Sequence, residues 1–283
     1  MTTDYAHSPS LFRFAIFLRR VLLLLILVAL RPASAAPLRI MPLGDSITAG
    51  YTDNSRGGAG GWTVPFEFGY RKPLYDLLQK AGYDFVFVGA SPEPWAGKYG
   101  DPTRGGKVSP LLDLRTIGQD GHRGYGGYRI PQITEAVAGF IATDNPDIIL
   151  LLIGINGIGP GSPAELDVLI QTIFKAKPGV KLIVAQITPK SSSYLEHNAS
   201  IRSFNDAIAA KLIPKYHRQG RSISVVNQYA NFLTNPGDPA SIDNSRFSNG
   251  INHPTNAVYD LMAGTWLSGI QAIMPPKLSR SKN

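Results

Sequence analysis

Short runs of consecutive apolar residues alternate with helix-length amphipathic stretches along most of the chain, and no other feature constrains the fold as tightly. Residues 38–43, 84–89, 147–153, 181–187 and 222–227 carry Val, Ile, Leu or Phe on successive positions. Apolar side chains on both faces suit strands covered on both sides, as in a parallel sheet between helical layers. Between these runs, residues 71–81, 130–142, 163–177, 199–213 and 256–273 space their apolar residues three and four apart, as a helix requires. The alternation predicts right-handed crossovers and an α/β fold, a doubly wound three-layer α/β/α sandwich around a five-stranded parallel sheet. Ligands of such sheets bind outside the carboxyl ends of the strands. With 283 residues, 43% hydrophobic and 17% charged, the chain has the composition of a folded domain.

The two ends read differently. Arg19 and Arg20 precede ten apolar residues at 21–30, and Ala33-Ser34-Ala35 supplies small residues at a cleavage site. That order of features predicts a signal peptide over 1–35 and a secreted protein, since ten apolar residues fall short of the roughly 20 a spanning helix needs. The folded domain is expected over 36–274, with a flexible tail at 275–283. Removing the leader reduces the formal charge from +8 to +5, with 24 basic against 19 acidic residues. No signature of nucleic-acid binding is present, and no membrane contact is expected after cleavage. Without cysteine the chain has no disulfide, thiolate metal site or cysteine nucleophile. Asn198-Ala199-Ser200 has the form of a glycosylation acceptor.

The first apolar run leads directly into Gly44-Asp45-Ser46-Ile47-Thr48, which puts a serine at the carboxyl end of the first strand. A serine there is also a good helix N-cap, so its place alone does not make it a nucleophile. Thr48 stands where the Gly-x-Ser-x-Gly elbow of the α/β-hydrolases has its second glycine. A serine nucleophile needs a base. His7 leaves with the leader, and His197 and His217 sit in polar surroundings, leaving His122 and His253. His253, in the turn-rich Asn249-Gly250-Ile251-Asn252-His253-Pro254 before the last helix, is the stronger candidate.

Several blocks, in order across nearly the whole chain after the leader, resemble the SGNH or GDSL hydrolases. The opening Arg39-Ile40-Met41-Pro42-Leu43-Gly44-Asp45-Ser46 and the stretch Gly69-Tyr70-Arg71-Lys72-Pro73-Leu74 look like carbohydrate esterase family three. Gly126-Gly127-Tyr128-Arg129-Ile130-Pro131 resembles the second block, with Gly127 as oxyanion glycine and Gly124 as the alternative register. Leu152-Ile153-Gly154-Ile155-Asn156 matches the third, and Val184-Ala185-Gln186-Ile187-Thr188-Pro189 resembles the acetylxylan esterase branch. The resemblance implies a flavodoxin-like SGNH fold, Ser46 as nucleophile and His253 as general base. The Ser46 amide, the Gly127 amide and the Asn156 side chain would hold the oxyanion, each donor worth about 3 kcal/mol. Asp45, Trp62 and Tyr128 are expected to touch substrate. No metal or organic cofactor is implied.

Two positions depart from the family pattern. Gly157 follows Asn156 where the family usually has aspartate, and Gly250 stands three residues before His253 where it has the carboxylate. Asn249 takes the equivalent place if Asn252 is an insertion, and is then the expected partner of His253. Asparagine holds an imidazole without stabilising the imidazolium, a change that costs about ten-thousandfold in the serine-protease template. A backbone carbonyl near Gly250, or Asp243, are the other candidates for that place. The implied activity is O-deacetylation of a glycan such as acetylated xylan. A lipid or general carboxylester hydrolase, and a weakly active or non-catalytic glycan-binding homologue, are the alternatives. Trp62, Trp95, Tyr99, Tyr125 and Tyr128 either stack on sugar rings or cover the edge of the core.

Overall fold

The computed structural model describes residues 36–52, 56–57, 61–62, 69–90 and 114–276, with 56–57 and 61–62 described by backbone alone. The expected leader at 1–35, the ring of Trp62, residues Trp95 and Tyr99, and positions 277–283 of the expected tail lie outside the described residues. Strand β1 (Leu38–Gly44) runs into a one-turn helix, α1 (Ser46–Ala49). A short hairpin, β2 (Arg56–Gly57) with β3 (Gly61–Trp62), precedes α2 (Arg71–Lys80) and β4 (Phe85–Phe87). Next come β5 (Arg123–Gly124), α3 (Ile130–Asp144), β6 (Ile148–Leu152), α4 (Ser162–Ala176) and β7 (Lys181–Gln186). The chain closes with α5 (Leu195–Ala207), α6 (Ile213–Arg218), β8 (Ile223–Asn227) and α7 (Asn256–Ile273).

The main sheet is parallel throughout, in the order β4-β1-β6-β7-β8, so each of the five expected strands is present. A sixth strand, β5, pairs with the last two residues of β1, Leu43 and Gly44. Its two residues are too few to carry a periodic signal. Every residue of β6 is buried. Each such side chain contributes roughly 1.5–3 kcal/mol relative to exposure. Helix α2 packs on α7 and α3 packs on α4, which encloses the sheet between helical layers.

Two sequence expectations are corrected. The helix expected over 199–213 begins earlier, at Leu195, passes through a wider π-turn at Ile208–Leu212, and resumes as α6 at Ile213. Pro214 sits in the first turn of α6, where a missing N–H costs no intrahelical bond. Asn198 is no accessible glycan acceptor. It is 1% exposed, and its carboxamide holds the Lys190 N–H at 2.8 Å and the Lys190 and Ser191 carbonyls at 3.0 and 3.2 Å.

Strands β1 and β6 approach most closely at Gly44. A Cβ there would lie 2.0 Å from the Leu152 carbonyl oxygen and 2.6 Å from Thr48 Oγ1, so only glycine fits. Gly44→Ala is therefore expected to lower unfolding stability by about 2–3 kcal/mol through overpacking, read from urea denaturation. Wild-type stability in that variant would mean that the two strands separate without cost.

Candidate active site

The strand order reverses direction between β1 and β6, the place where a doubly wound sheet opens its crevice. Ser46 follows β1 and Asn156 follows β6, so both lie at the carboxyl edge of that opening. Ser46 starts α1, where first-turn N–H groups have no intrahelical acceptor. Asp45 caps the helix, its carboxylate accepting the Ile47 N–H at 3.0 Å. Ser46 Oγ lies 2.9 Å from His253 Nε2, although the two residues are 207 positions apart. Both are nearly buried, at 4% and 5% exposure. For Nε2 to accept from a hydroxyl, the ring proton must sit on Nδ1.

The His253 segment is held by its backbone. Asn249 Oδ1 accepts the N–H groups of Ile251, Asn252 and His253 at 2.9, 2.9 and 3.0 Å, and Asn249 Nδ2 donates to Asn252 Oδ1 at 3.2 Å. Asn249, the expected partner of the imidazole, thus also grips the loop that carries it. Ser248 N–H donates to the His253 carbonyl at 2.9 Å, and Ser191 N–H donates to Ile251 at 2.7 Å. Tyr51 sets its ring edge-on to the imidazole, with centroids 5.6 Å apart. Asp243, the other carboxylate considered, binds Ser245 and makes a 3.0 Å ion pair with Arg246. These contacts hold its pKa below the usual carboxylate value, the Ser245 hydroxyl contributing most.

Gly127 lies in the turn closed by Tyr128 N–H to the Tyr125 carbonyl at 3.2 Å, between β5 and α3. Asn156 Nδ2 donates to the Tyr128 carbonyl at 3.1 Å, which ties the third block to the second. The Gly124 N–H is already spent on His122 Nδ1 at 2.9 Å, so of the two registers Gly127 retains the better claim to a free donor. That same bond gives His122, fully buried, a structural duty in place of a base's. His197 and His217 are surface residues, as their surroundings in the sequence suggested.

Of the residues expected to touch substrate, Asp45 is corrected: it is 1% exposed and faces the helix it caps. Burial pushes its carboxyl up to about 7, against the pull of the Ile47 N–H. Tyr128 is half-buried and stacks on Tyr125 at 4.7 Å, which stacks on Phe140 at 5.5 Å. Arg123 lies 4.4 Å over Phe140 and pairs with Asp144 at 2.7 Å. These rings form one continuous stack between the Gly127 turn and α3. Arg71 was quoted only as part of a motif, yet it is 1% exposed and donates to the Ala49 and Asp120 carbonyls at 3.1 and 2.9 Å. It clamps the end of α1. Burial lowers its pKa to about 10, so it stays charged at neutral pH. Among the described residues, no cluster of three His, Cys, Asp or Glu is placed to hold a metal ion.

No family model matches the chain. A multidomain esterase of Ruminococcus flavefaciens is 30% identical over 86% of this chain, which spans only 29% of that protein's length. Among solved structures, a family 3 carbohydrate esterase of Clostridium thermocellum superposes with a TM-score of 0.56 at 26% identity, covering 82% of this chain and 94% of the other. In fold and in sequence the chain is similar to the carbohydrate esterases of family 3. A carbohydrate esterase family 3 structure from Talaromyces cellulolyticus has the same fold, with a TM-score of 0.58 at 20% identity over 83% of this chain and 98% of that one.

Two predictions concern the supports of this site. Asn249→Ala leaves three backbone donors without their acceptor and is expected to cost about 1–3 kcal/mol in denaturation, whereas Asn249→Asp, which keeps an acceptor oxygen, costs less. Equal losses would show that the oxygen does not organise the loop. For Asp45, a folded-state pKa above the unfolded value means that its contribution to stability is present below about pH 4. That contribution is lost as pH rises through about 7. Asp45→Asn keeps the cap and removes the charge, so its stability relative to wild type is expected to improve between pH 4 and 8. A pH-independent difference in melting temperature would refute this.

Proposed function

We propose that this protein is a serine esterase that removes acyl groups, acetyl foremost, from carbohydrate by an acyl-enzyme route. The observation that carries the proposal is the 2.9 Å contact between Ser46 Oγ and His253 Nε2 in a buried setting. Ser46 Oγ attacks the ester carbonyl carbon while Nε2 takes its proton. The carbonyl π electrons move to oxygen, which in this reading the Ser46 amide, the Gly127 amide and the Asn156 side chain receive. Collapse breaks the bond to the leaving alcohol, which takes the proton from Nε2. Water then attacks the acyl-serine with the same base, releasing the carboxylic acid and free serine.

Glycan esters follow from the motifs shared with carbohydrate esterase family three and from the 26% identical carbohydrate esterase. The 30% identical multidomain esterase adds support for ester hydrolysis. Arg19, Arg20 and the apolar run at 21–30 support export as part of the proposal. A polymeric glycan substrate outside the cell would then be within reach.

The test is acetate release from acetylated xylan and from a small aryl acetate. Ser46→Ala and His253→Ala are each expected to lose at least about a thousandfold in kcat, and the double variant little more, because the pair acts as a unit. Full turnover by Ser46→Ala would remove the serine from the mechanism. A loss in His253→Ala of less than about tenfold would remove the histidine.

A further inference from the structure

The position after Asn156, where the family usually has aspartate, is Gly157, and a cation lies over it. A Cβ at Gly157 would meet Arg129 Nε at 2.9 Å, Cδ at 3.0 Å and Cζ at 3.2 Å. The backbone there is left-handed, with φ of 76°, which favours glycine further. Arg129 therefore occupies space that any side chain at 157 would contest. It is an exposed residue, yet it rests along the Asn156–Gly157 loop at contact distance. It follows Gly127 by two positions, and the carbonyl of its neighbour Tyr128 holds Asn156 Nδ2. Among the described residues it has no carboxylate partner.

An uncompensated guanidinium beside the oxyanion donors adds a fixed positive charge at the mouth of the site. A family aspartate in the adjoining position would have answered that charge; glycine leaves it open. Arginine presents a planar fork of donors that matches a carboxylate. The corresponding expectation for a neutral glycan is a side chain that hydrogen-bonds hydroxyls without a net charge.

We propose that Arg129 is a specificity-determining residue, and that the preferred substrate is an O-acylated glycan bearing a carboxylate, such as a uronic acid, close to the scissile ester. The proposal rests on the esterase reading for its reaction and on the Arg129–Gly157 packing for its selectivity. One opposite charge at the rim of a solvated site accounts for about a five- to tenfold preference, weakened by salt.

The experiment compares an O-acetylated methyl glucuronoside with the matching O-acetylated methyl glucoside, which differ only at the carboxylate. Wild-type kcat/KM is expected to favour the glucuronoside about five- to tenfold at low salt, and less at high salt. Arg129→Gln is expected to bring the ratio to about one, and Arg129→Glu to invert it. The same ratios are read as binding affinities in a Ser46→Ala background by calorimetry, so selectivity is measured whether or not turnover occurs. Failure of wild type on a neutral aryl acetate would count against the esterase reading alone. Equal binding of the two glycosides by the Ser46→Ala protein, or a preference that survives Arg129→Gln, would overturn the role of Arg129.

Discussion

The close approach of β1 and β6 at Gly44 governs the rest of the site. With the Leu152 carbonyl only 2.0 Å from where a side chain would begin, the two strands meet without a gap at the point where the sheet changes direction. Everything that follows β1 is then delivered beside everything that follows β6. Ser46 and Asn156 follow adjacent strands for that reason, and the second block is drawn in by β5 pairing with the same last residues of β1. Arg71 fixes the far end of α1 from below, and His122 fixes β5 through the Gly124 N–H. Hydrogen bonds to backbone atoms, more than side-chain pairs, set the position of the chemistry.

The histidine shows the same economy of means. Where the family carries a carboxylate, the loop has Gly250, and Asn249 gathers three consecutive N–H groups onto one oxygen. Such a node makes the loop stiff without contributing charge. The edge of Tyr51 packs against the imidazole. Tyr51 is anchored in turn, its carbonyl accepting the Tyr259 hydroxyl from α7 at 2.8 Å.

The strands and most helices were legible in the sequence because burial on both faces leaves a continuous apolar record, as in Ile148–Leu152. Ser46 and His253 were legible because the motifs name them and the sheet topology says where a nucleophile belongs. Other features left no such record. Two residues of β5 cannot show a period. Arg71 looks like any surface arginine until its carbonyl partners are in place. Asn249 offers an oxygen that three successive backbone N–H groups reach, and only the turn geometry brings them together. Asn198 satisfies the letter pattern of a glycan acceptor while its carboxamide is sealed inside α5's entry loop.

The span of 207 residues between nucleophile and base has an implication for the protein's biogenesis. The base arrives just before α7, the helix that buries Tyr259, Met262 and Trp266 against the rest. A chain emerging from its amino end can assemble the sheet and the serine turn, yet it holds no imidazole near that serine until the last helix docks. On the proposed mechanism the serine therefore gains its base only once that last helix is in place, so reactivity follows the final packing of the chain.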